Sequence, residues 1–527
     1  MKTKYSKLLT CIFLIMIMTT QTIIAQKFGP GWKSLHQYKV PEWFKNAKFG
    51  IFMHWGVMSV PANDGWYARQ MYQQVGALRG DAYGYHLKHF GHPSKFGYKD
   101  LIPLWKAENW EPDSLVKFYK KIGAKYIVYV AVHHDNFDNY ASTYQPWNSV
   151  NMGSRKDIVE GWKNAAEKYG LRFGVSSHSD RTWNWFITSH GSDVKGPLKG
   201  ISYDGNLTAA DGKGKWWDGY NPQDLYCIPH KLSDPPDSAY CVKWFNRTKE
   251  LIDKYHPDLL YFDGPIPIQV VDANLSKKEK TYLESYGLRI AAHFYNENQK
   301  WHNGKLEAVL NLKDWPEESV PDHSAVVMDI EKGQSDSLKT NYWQTDTSLN
   351  GQWFYTPDSL ELNDTVVVQN LCDIVSKNGN LLLNVSLKAD GTLPQDQRRI
   401  LLGVGNWLNL NGDAIYGTRP WNIFGEGPTQ IKGGDFKENN KPFTSNDIRF
   451  TTKADTLFAV VFGWPKNGKV TIHTIMKNTK FWFGNINHVK MLGVKSLLKW
   501  NFSNDGLVIK MPVKKPFKYA YVLKIWD

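Results

Sequence analysis

Five short segments end an apolar run on groups that can bind, orient or transfer protons. "KFGIFMHW" ends in His54 and Trp55. "YIVYVAVHHD" ends in His133, His134 and Asp135. "LRFGVSSHSD" carries Ser177, His178 and Asp180, "DLLYFDG" carries Asp263, and "VVMDIEKG" carries Glu331. A carboxylate directly after an apolar strand and before Gly264 stands at a pocket rim with little bulk beside it. Such a group suits a nucleophile on an anomeric carbon; the plainer role is to cap the next element. A retaining glycosidic cleavage needs a second carboxyl group about 5–5.5 Å away, to protonate the leaving oxygen. His133 and His134 offer metal ligation, base catalysis or hydrogen bonds to sugar hydroxyls. Metal ligation is the least favoured, because adjacent side chains on a strand diverge and no third ligand follows at a diagnostic spacing.

These groups need a scaffold that brings distant segments together. "EPDSLVKFYKKIG" places Leu115, Val116, Tyr119 and Ile122 at helical spacing, with Pro112 near its start and Gly123 at its end. The strand 126–132 follows. "DIVEGWKNAAEKYG" leads in the same way to 172–176, "CVKWFNRTKELIDKYHP" to 259–262, and "TVVVQNLCDIVSKNG" to 381–385. These strands are short, near-continuous apolar runs, the pattern of parallel strands buried on both faces. Alternation of this kind over residues 26–412 predicts a (β/α)8-like barrel, with a doubly wound sheet as runner-up. No GxGxxG follows a first strand, which argues against a dinucleotide fold. In a barrel, polar residues at the strands' C-terminal ends share one mouth. The segment "HGSDVKGPLKGISYDGNLTAADGKGKWWDGYNPQDLYCIPH" is long and irregular and contains Trp216, Trp217 and Tyr220, so it is expected to cover the site. Beyond residue 412, "DIRFTTKADTLFAVVFGWPKNGKVTIHTIM" alternates apolar and polar residues around a turn. Residues 413–527 therefore read as an antiparallel β-sandwich that binds carbohydrate or braces the barrel, bracing being favoured because "GDAIYGTRPW" runs into it without a linker.

The N-terminus has a basic start, "MKTKYSK", an apolar stretch, "LLTCIFLIMIMTT", and a small residue, Ala25, before a plausible cut. This reads as a signal peptide over residues 1–25, with the mature protein exported to the periplasm or beyond the cell. Cys11 lies within the apolar stretch, against a lipid anchor. Removing the segment takes three lysines and no acid from a net charge of +13, so the remainder stays basic. A basic exported protein suits anionic glycans, or the charge only aids solubility. No basic run is interleaved with aromatics in a nucleic-acid pattern, and no later stretch is long and apolar enough to span a membrane. Cys227, Cys241 and Cys372 have no metal spacing. Cys227 and Cys241 can pair across a loop, and Cys372 fits a buried helical thiol. With 23 tryptophans, the chain also has flat faces to offer a sugar.

Nine ordered segments over most of residues 30–420 carry a resemblance. They are "WFKNAKFGIFMHWGVMSVPA", "GWYARQMY", "AKYIVYVAVHHDNF", "WNSVNMGSRKDIV", "LRFGV", "YFDG", "YWQTDTSLNGQWFY", "DIVSKNGNLLLNVSLKADGTLP" and "NWLNLNGDAIYGTRPW". Together they resemble glycoside hydrolase family 29, the α-L-fucosidases. The resemblance implies a (β/α)-barrel with a C-terminal β-sandwich, and retaining hydrolysis of terminal α-L-fucosyl-type residues without metal or cofactor. By motif match Asp263 resembles the nucleophile. His54, His133, His134 and Trp66 resemble sugar contacts, and Trp55 and His178 join them as strand-end neighbours. The acid varies in position. "IEKG" is similar to the "ERG" of many members, which favours Glu331 over Glu307, Glu317 and Glu318.

Three departures bear on the sugar. Gly65, preceded by Asp64, stands where many members have Glu before "WYAR". Asn136 replaces the glycine of "HHDGF". Ser176, Ser177 and His178 stand where tyrosines are usual. Exchanging aromatic bulk for Ser and His makes room for an extra hydroxyl or a charged substituent. An α-L-galactosidase, or an enzyme for modified or sulfated algal-type galactan sugars, is therefore the alternative to an α-L-fucosidase. A glycan-binding protein on a decayed glycosidase scaffold is the alternative of another class.

Overall fold

The computed structural model describes residues 27–265, 275–314, 318–357, 359–438, 442–477 and 485–527. The expected signal peptide and Glu317 lie outside the described residues. Eight strands form a closed barrel: β1 (Phe49–Met53), β2 (Tyr126–Val132), β3 (Arg172–Ser177), β4 (Leu259–Phe262), β5 (Val309–Lys313), β6 (Val327–Glu331), β7 (Trp343–Ser348) and β8 (Gly379–Asn384). Each pairs in parallel with the next, and β8 closes on β1. Closure excludes the doubly wound alternative. β1, β2 and β4 are buried at every residue, which is why their sequences are apolar without alternation.

The helices between the strands begin where the sequence supplies partners for their first amides. In α1 (Pro112–Lys121), Pro112 occupies the first turn, where no donor is needed. The Asp157 carboxylate accepts from the Glu160 amide at the start of α2 (Ile158–Tyr169), and Gly170 ends that helix at φ 67°. Asp237 caps α3 (Ser238–Tyr255), and Ser276 with Glu279 forms a capping box on α4 (Lys277–Trp301). α5 (Asp364–Ser376) and α6 (Gln395–Asn411) complete the barrel's cover.

Eight antiparallel strands follow. β9 (Arg419–Glu426), β10 (Ile448–Lys453), β11 (Thr456–Val461), β13 (His488–Met491) and β16 (Tyr521–Trp526) make a five-stranded sheet in the order β13-β16-β11-β10-β9. β12 (Lys469–Ile472), β14 (Trp500–Ser503) and β15 (Gly506–Lys510) make a three-stranded one. Alternation along β11 sends Leu457, Ala459 and Val461 into the core between these sheets. Phe458 and Val460, with Val522 of β16, face the other way and join the barrel's own core. Trp407 of α6 donates to the Ala520 carbonyl at 2.9 Å, and Arg449 is ion-paired with Asp373 of α5 in a buried site.

Cys227 and Cys241, whose pairing across a loop the sequence leaves open, are both free and buried. One sequence expectation fails here. The irregular segment does not cover the barrel mouth. Trp217 is buried, Trp216 packs edge-on against Trp147 and donates to Asp100, and none of residues 190–230 reaches the central pocket. Its aromatics serve a flanking core instead. Among the described residues, no helix is long and apolar enough to cross a membrane.

Candidate active site

Parallel closure aims the C-terminal ends of all eight strands at one mouth, and a pocket of about 340 Å³ lies there. His54 follows β1, His133 and His134 follow β2, His178 follows β3, and Asp263 follows β4. Lys313 and Glu331 are the last residues of β5 and β6. All seven line the pocket, with Trp66 and Trp353 on its wall.

At the floor of the site one ammonium holds two carboxylates. Lys313 Nζ donates to Asp263 Oδ1 at 2.7 Å and to Glu331 Oε2 at 2.7 Å. Those two oxygens therefore lie within twice that distance of each other. A third carboxylate, Asp346 of β7, is 3.3 Å from the same nitrogen and accepts from Tyr261 Oη at 3.0 Å. The second oxygen of Asp263 faces His134 Nε2 at 3.4 Å and His178 Nδ1 at 3.6 Å. The second oxygen of Glu331 accepts from Trp353 Nε1 at 3.2 Å.

These contacts decide the charges. Burial alone would raise the Asp263 carboxyl, but the charge of the Lys313 ammonium outweighs it and holds the carboxyl well below the usual carboxylate range. Burial works to discharge Lys313, and Asp263, Asp346 and Glu331 outweigh it, so the lysine stays charged. Asp346 goes the opposite way. Its burial and the neighbouring Asp329 and Glu331 outweigh Lys313 and raise it well above the ordinary value. The site thus contains one firmly ionised carboxylate and one firmly charged amine.

Three of the histidines are neutral. Burial pushes His54 down to about 3 and puts His133 and His178 well below the ordinary imidazole value. His54 Nδ1 is 2.9 Å from Asn384 Oδ1, and that amide oxygen requires a proton on Nδ1, leaving Nε2 as an acceptor. His134 Nδ1 donates to the His178 carbonyl at 2.7 Å. His178 Nε2 lies 2.5 Å from Ser176 Oγ. His133 Nδ1 and His178 Nδ1 are buried without a hydrogen-bond partner. Neutral imidazoles with spare polar atoms suit a ligand rich in hydroxyls, each of which donates and accepts.

The sequence reading needs three corrections. Trp55 does not touch the pocket. One residue beyond His54, it points to the other side of the chain, where it is fully buried against Trp105 and Trp110 and donates to the Lys388 carbonyl at 2.7 Å. His133 and His134 do not diverge. β2 ends at Val132, so the alternation lapses, and the two rings lie 4.4 Å apart. The ligating atoms of His54, His133 and His178 fall within 4.8 Å of one another, as do those of His134, His178 and Asp263, so either set could hold a metal ion. Asn136 is not part of the pocket. Its backbone is left-handed, at φ 61°, which Gly adopts freely and Asn better than most. Its side chain donates to the Asp224 and Leu225 carbonyls and accepts from Arg247 at 2.6 Å.

Of the other acids, Glu307 precedes β5 and so lies at the opposite barrel end, bonded to Arg172 at 2.8 Å. Glu318 does not line the pocket. Gly65 does, and a Cβ there would meet Trp353 at an ordinary 3.8 Å, so the space beside it is open. Residues not singled out from sequence include Lys313 at the end of β5, Asp346 within β7 and Trp353 in the loop after β7. Asp435 and Phe436 were also missed; they arrive from the connection between β9 and β10. The Glu331 amide donates to Asp435 Oδ1 at 2.7 Å, and the Phe436 amide donates to the Glu331 carbonyl at 2.7 Å.

Known proteins resemble this chain over nearly its whole length. A family model described as alpha-L-fucosidase matches residues 15–413, and one described as alpha-L-fucosidase C-terminal domain matches residues 440–526. The tissue alpha-L-fucosidase of Mus musculus is 27% identical over 510 residues, covering 95% of each chain. The plasma alpha-L-fucosidase of Homo sapiens is 26% identical over 520 residues, covering 95% of this chain and 93% of its own. The solved structure of Thermotoga maritima alpha-fucosidase in complex with a mechanism-based inhibitor has a TM-score of 0.68 and 26% identity. It covers 95% of this chain and 100% of that one.

Proposed function

The chain belongs to the alpha-L-fucosidase family of glycoside hydrolases, and we propose that it removes terminal α-L-fucosyl residues from glycans by double displacement with retention. The observation that carries this reading is the pair Asp263 and Glu331, each 2.7 Å from Lys313 Nζ, at the ends of the two strands that flank β5. That spacing is compatible with the separation of about 5–5.5 Å that retaining enzymes use. The pocket beside it has room for a single sugar ring. Asp263, held ionised, attacks the anomeric carbon and forms a glycosyl ester as the glycosidic bond breaks. Glu331 gives its proton to the departing oxygen. A water molecule then attacks the same carbon, Glu331 takes the water's proton, and Asp263 leaves as a carboxylate. The histidines and Trp66 orient the sugar, and no metal enters any step. The intact carboxylate pair favours an enzyme over a non-catalytic glycan-binding protein.

One observation supports a second reading, an α-L-galactosidase: His178 keeps an unpartnered polar nitrogen in the pocket, where a further hydroxyl would find a bond. Aryl α-L-fucoside and aryl α-L-galactoside, assayed side by side with wild type and Asp263→Ala, test both. Hydrolysis of neither substrate sinks both. Proton NMR of the first-formed sugar tests retention. The N-terminal segment supports export, which fractionation of expressing cells checks.

A further inference from the structure

A second hollow, of about 840 Å³, adjoins the sugar pocket and shares Asp435 and Phe436 with it. It runs beside β6 toward Asp314, His323, Lys339, Tyr342 and Lys437. Phe436 stands at the junction and is 59% exposed, although it is a large apolar side chain. Its backbone is left-handed, at φ 54°, a conformation a bulky residue holds only when its surroundings enforce it. Here they do. The Gly434 amide donates to the Gln334 carbonyl at 3.1 Å, the Asp435 carboxylate accepts from the Glu331 amide, and the Phe436 amide donates to the Glu331 carbonyl. Thr347 Oγ1 donates to the Glu438 carboxylate one strand further round the barrel. The connection between β9 and β10 is thus clamped to the ends of β6 and β7, which places an exposed ring beside the residue that protonates the leaving oxygen.

The leaving group departs on the side of its proton donor. We propose that Phe436 and the hollow beyond it form the subsite for the leaving-group sugar, with the phenyl ring as a platform for a second pyranose. This rests on the glycosidase reading above. The apolar face of a pyranose stacks on an aromatic ring. The polar groups around the hollow, including the Asp314–His323 pair at 3.0 Å and Lys339, supply partners for its hydroxyls.

The test compares wild type, Phe436→Ala and Phe436→Trp on two kinds of substrate: α-L-fucosyl fluoride, which has no leaving-group sugar, and a panel of α-L-fucosyl disaccharides of different linkage. The expected result is a loss of about tenfold in kcat/KM for Phe436→Ala on the disaccharide that wild type cleaves best, mainly through KM. Any loss on the fluoride should be several-fold smaller than on the disaccharide, and Phe436→Trp should restore the disaccharide rate. Because the ring is exposed, the Ala variant should melt with wild type. Equal losses on both kinds of substrate, or no loss on the disaccharide, overturn the proposal. So does a wild type that hydrolyses the fluoride and no disaccharide. A wild type that hydrolyses neither overturns the glycosidase reading itself.

Discussion

Replacing Lys313 with methionine removes the one ammonium that Asp263 and Glu331 share. The side chains are almost fully buried, 5% exposed for Lys313 and 14% for Asp263, so water screens the pair weakly. Two unit charges 2.7 Å apart attract by about 6 kcal/mol at an effective dielectric of about 20. That attraction is spread over several acids and set against desolvation. Breaking a buried pair costs about 3–5 kcal/mol, and the lower figure applies because Asp263 keeps His134 beside its other oxygen. Without the lysine, burial raises the Asp263 carboxyl, and the nucleophile takes up a proton where wild type has none. The acid limb of kcat/KM should therefore move toward neutrality. In the region it crosses, Lys313→Met should lose about 3 kcal/mol, roughly a hundredfold in rate. The sign is fixed: a depressed acid is ionised above its own pKa, so activity should recover as pH rises and the carboxyl deprotonates again. Lys313→Arg keeps the charge and should keep the wild-type limb. The assay is a kcat/KM–pH profile on an aryl α-L-fucoside. An unchanged limb in Lys313→Met, or a loss equal at every pH, refutes the electrostatic argument.

Three further outcomes follow from the same geometry. Glu331→Ala should lose about 10²–10⁴-fold on a disaccharide, but far less on an aryl glycoside whose leaving group needs no proton; added azide should then yield a glycosyl azide. Asn136→Ala should lower stability by about 2–4 kcal/mol, from the left-handed backbone and the stranded Arg247, and Asn136→Gly by less. Denaturant melts measure both, and an Ala variant as stable as wild type contradicts this account. Dialysis against a chelator should leave kcat unchanged, whereas micromolar Zn²⁺ should inhibit reversibly at neutral pH through the three neutral imidazoles. Loss of activity on chelation would assign the metal a catalytic role instead.

The barrel was legible because parallel strands must be apolar on both faces, and an apolar run that stops at a polar group marks a strand's end. That rule found His54, His133, His178, Asp263 and Glu331. Lys313 obeys it equally, at the end of "AVLNLK", yet a terminal lysine also reads as a solvated strand end, and only its carboxylate neighbours separate the two readings. Trp55 marks where the sequence stops specifying direction. A shift of one residue along the chain is a change of side, and sequence alone does not say where the alternation breaks. Asn136 looked like part of a rewritten sugar pocket because it sits beside the histidines. The backbone angle, invisible in the sequence, makes it a turn residue. Asp435 and Phe436 lie about a hundred residues from Glu331 in an irregular connection, and no periodicity points from one to the other.

The five-stranded sheet shares its apolar residues between two neighbours: β11 gives alternate side chains to the barrel and to the smaller sheet. Its last strand, β16, sits between β13 and β11 rather than at an edge. A boundary drawn near residue 412 therefore divides the sequence but not the cooperative unit. Removing residues 521–526 opens the sheet in its middle and uncovers the helices that hold β8 in place. Calorimetry of the intact chain should show the two parts melting together, and the catalytic barrel cut out alone should lose both its support and the Asp435–Phe436 lip of its mouth.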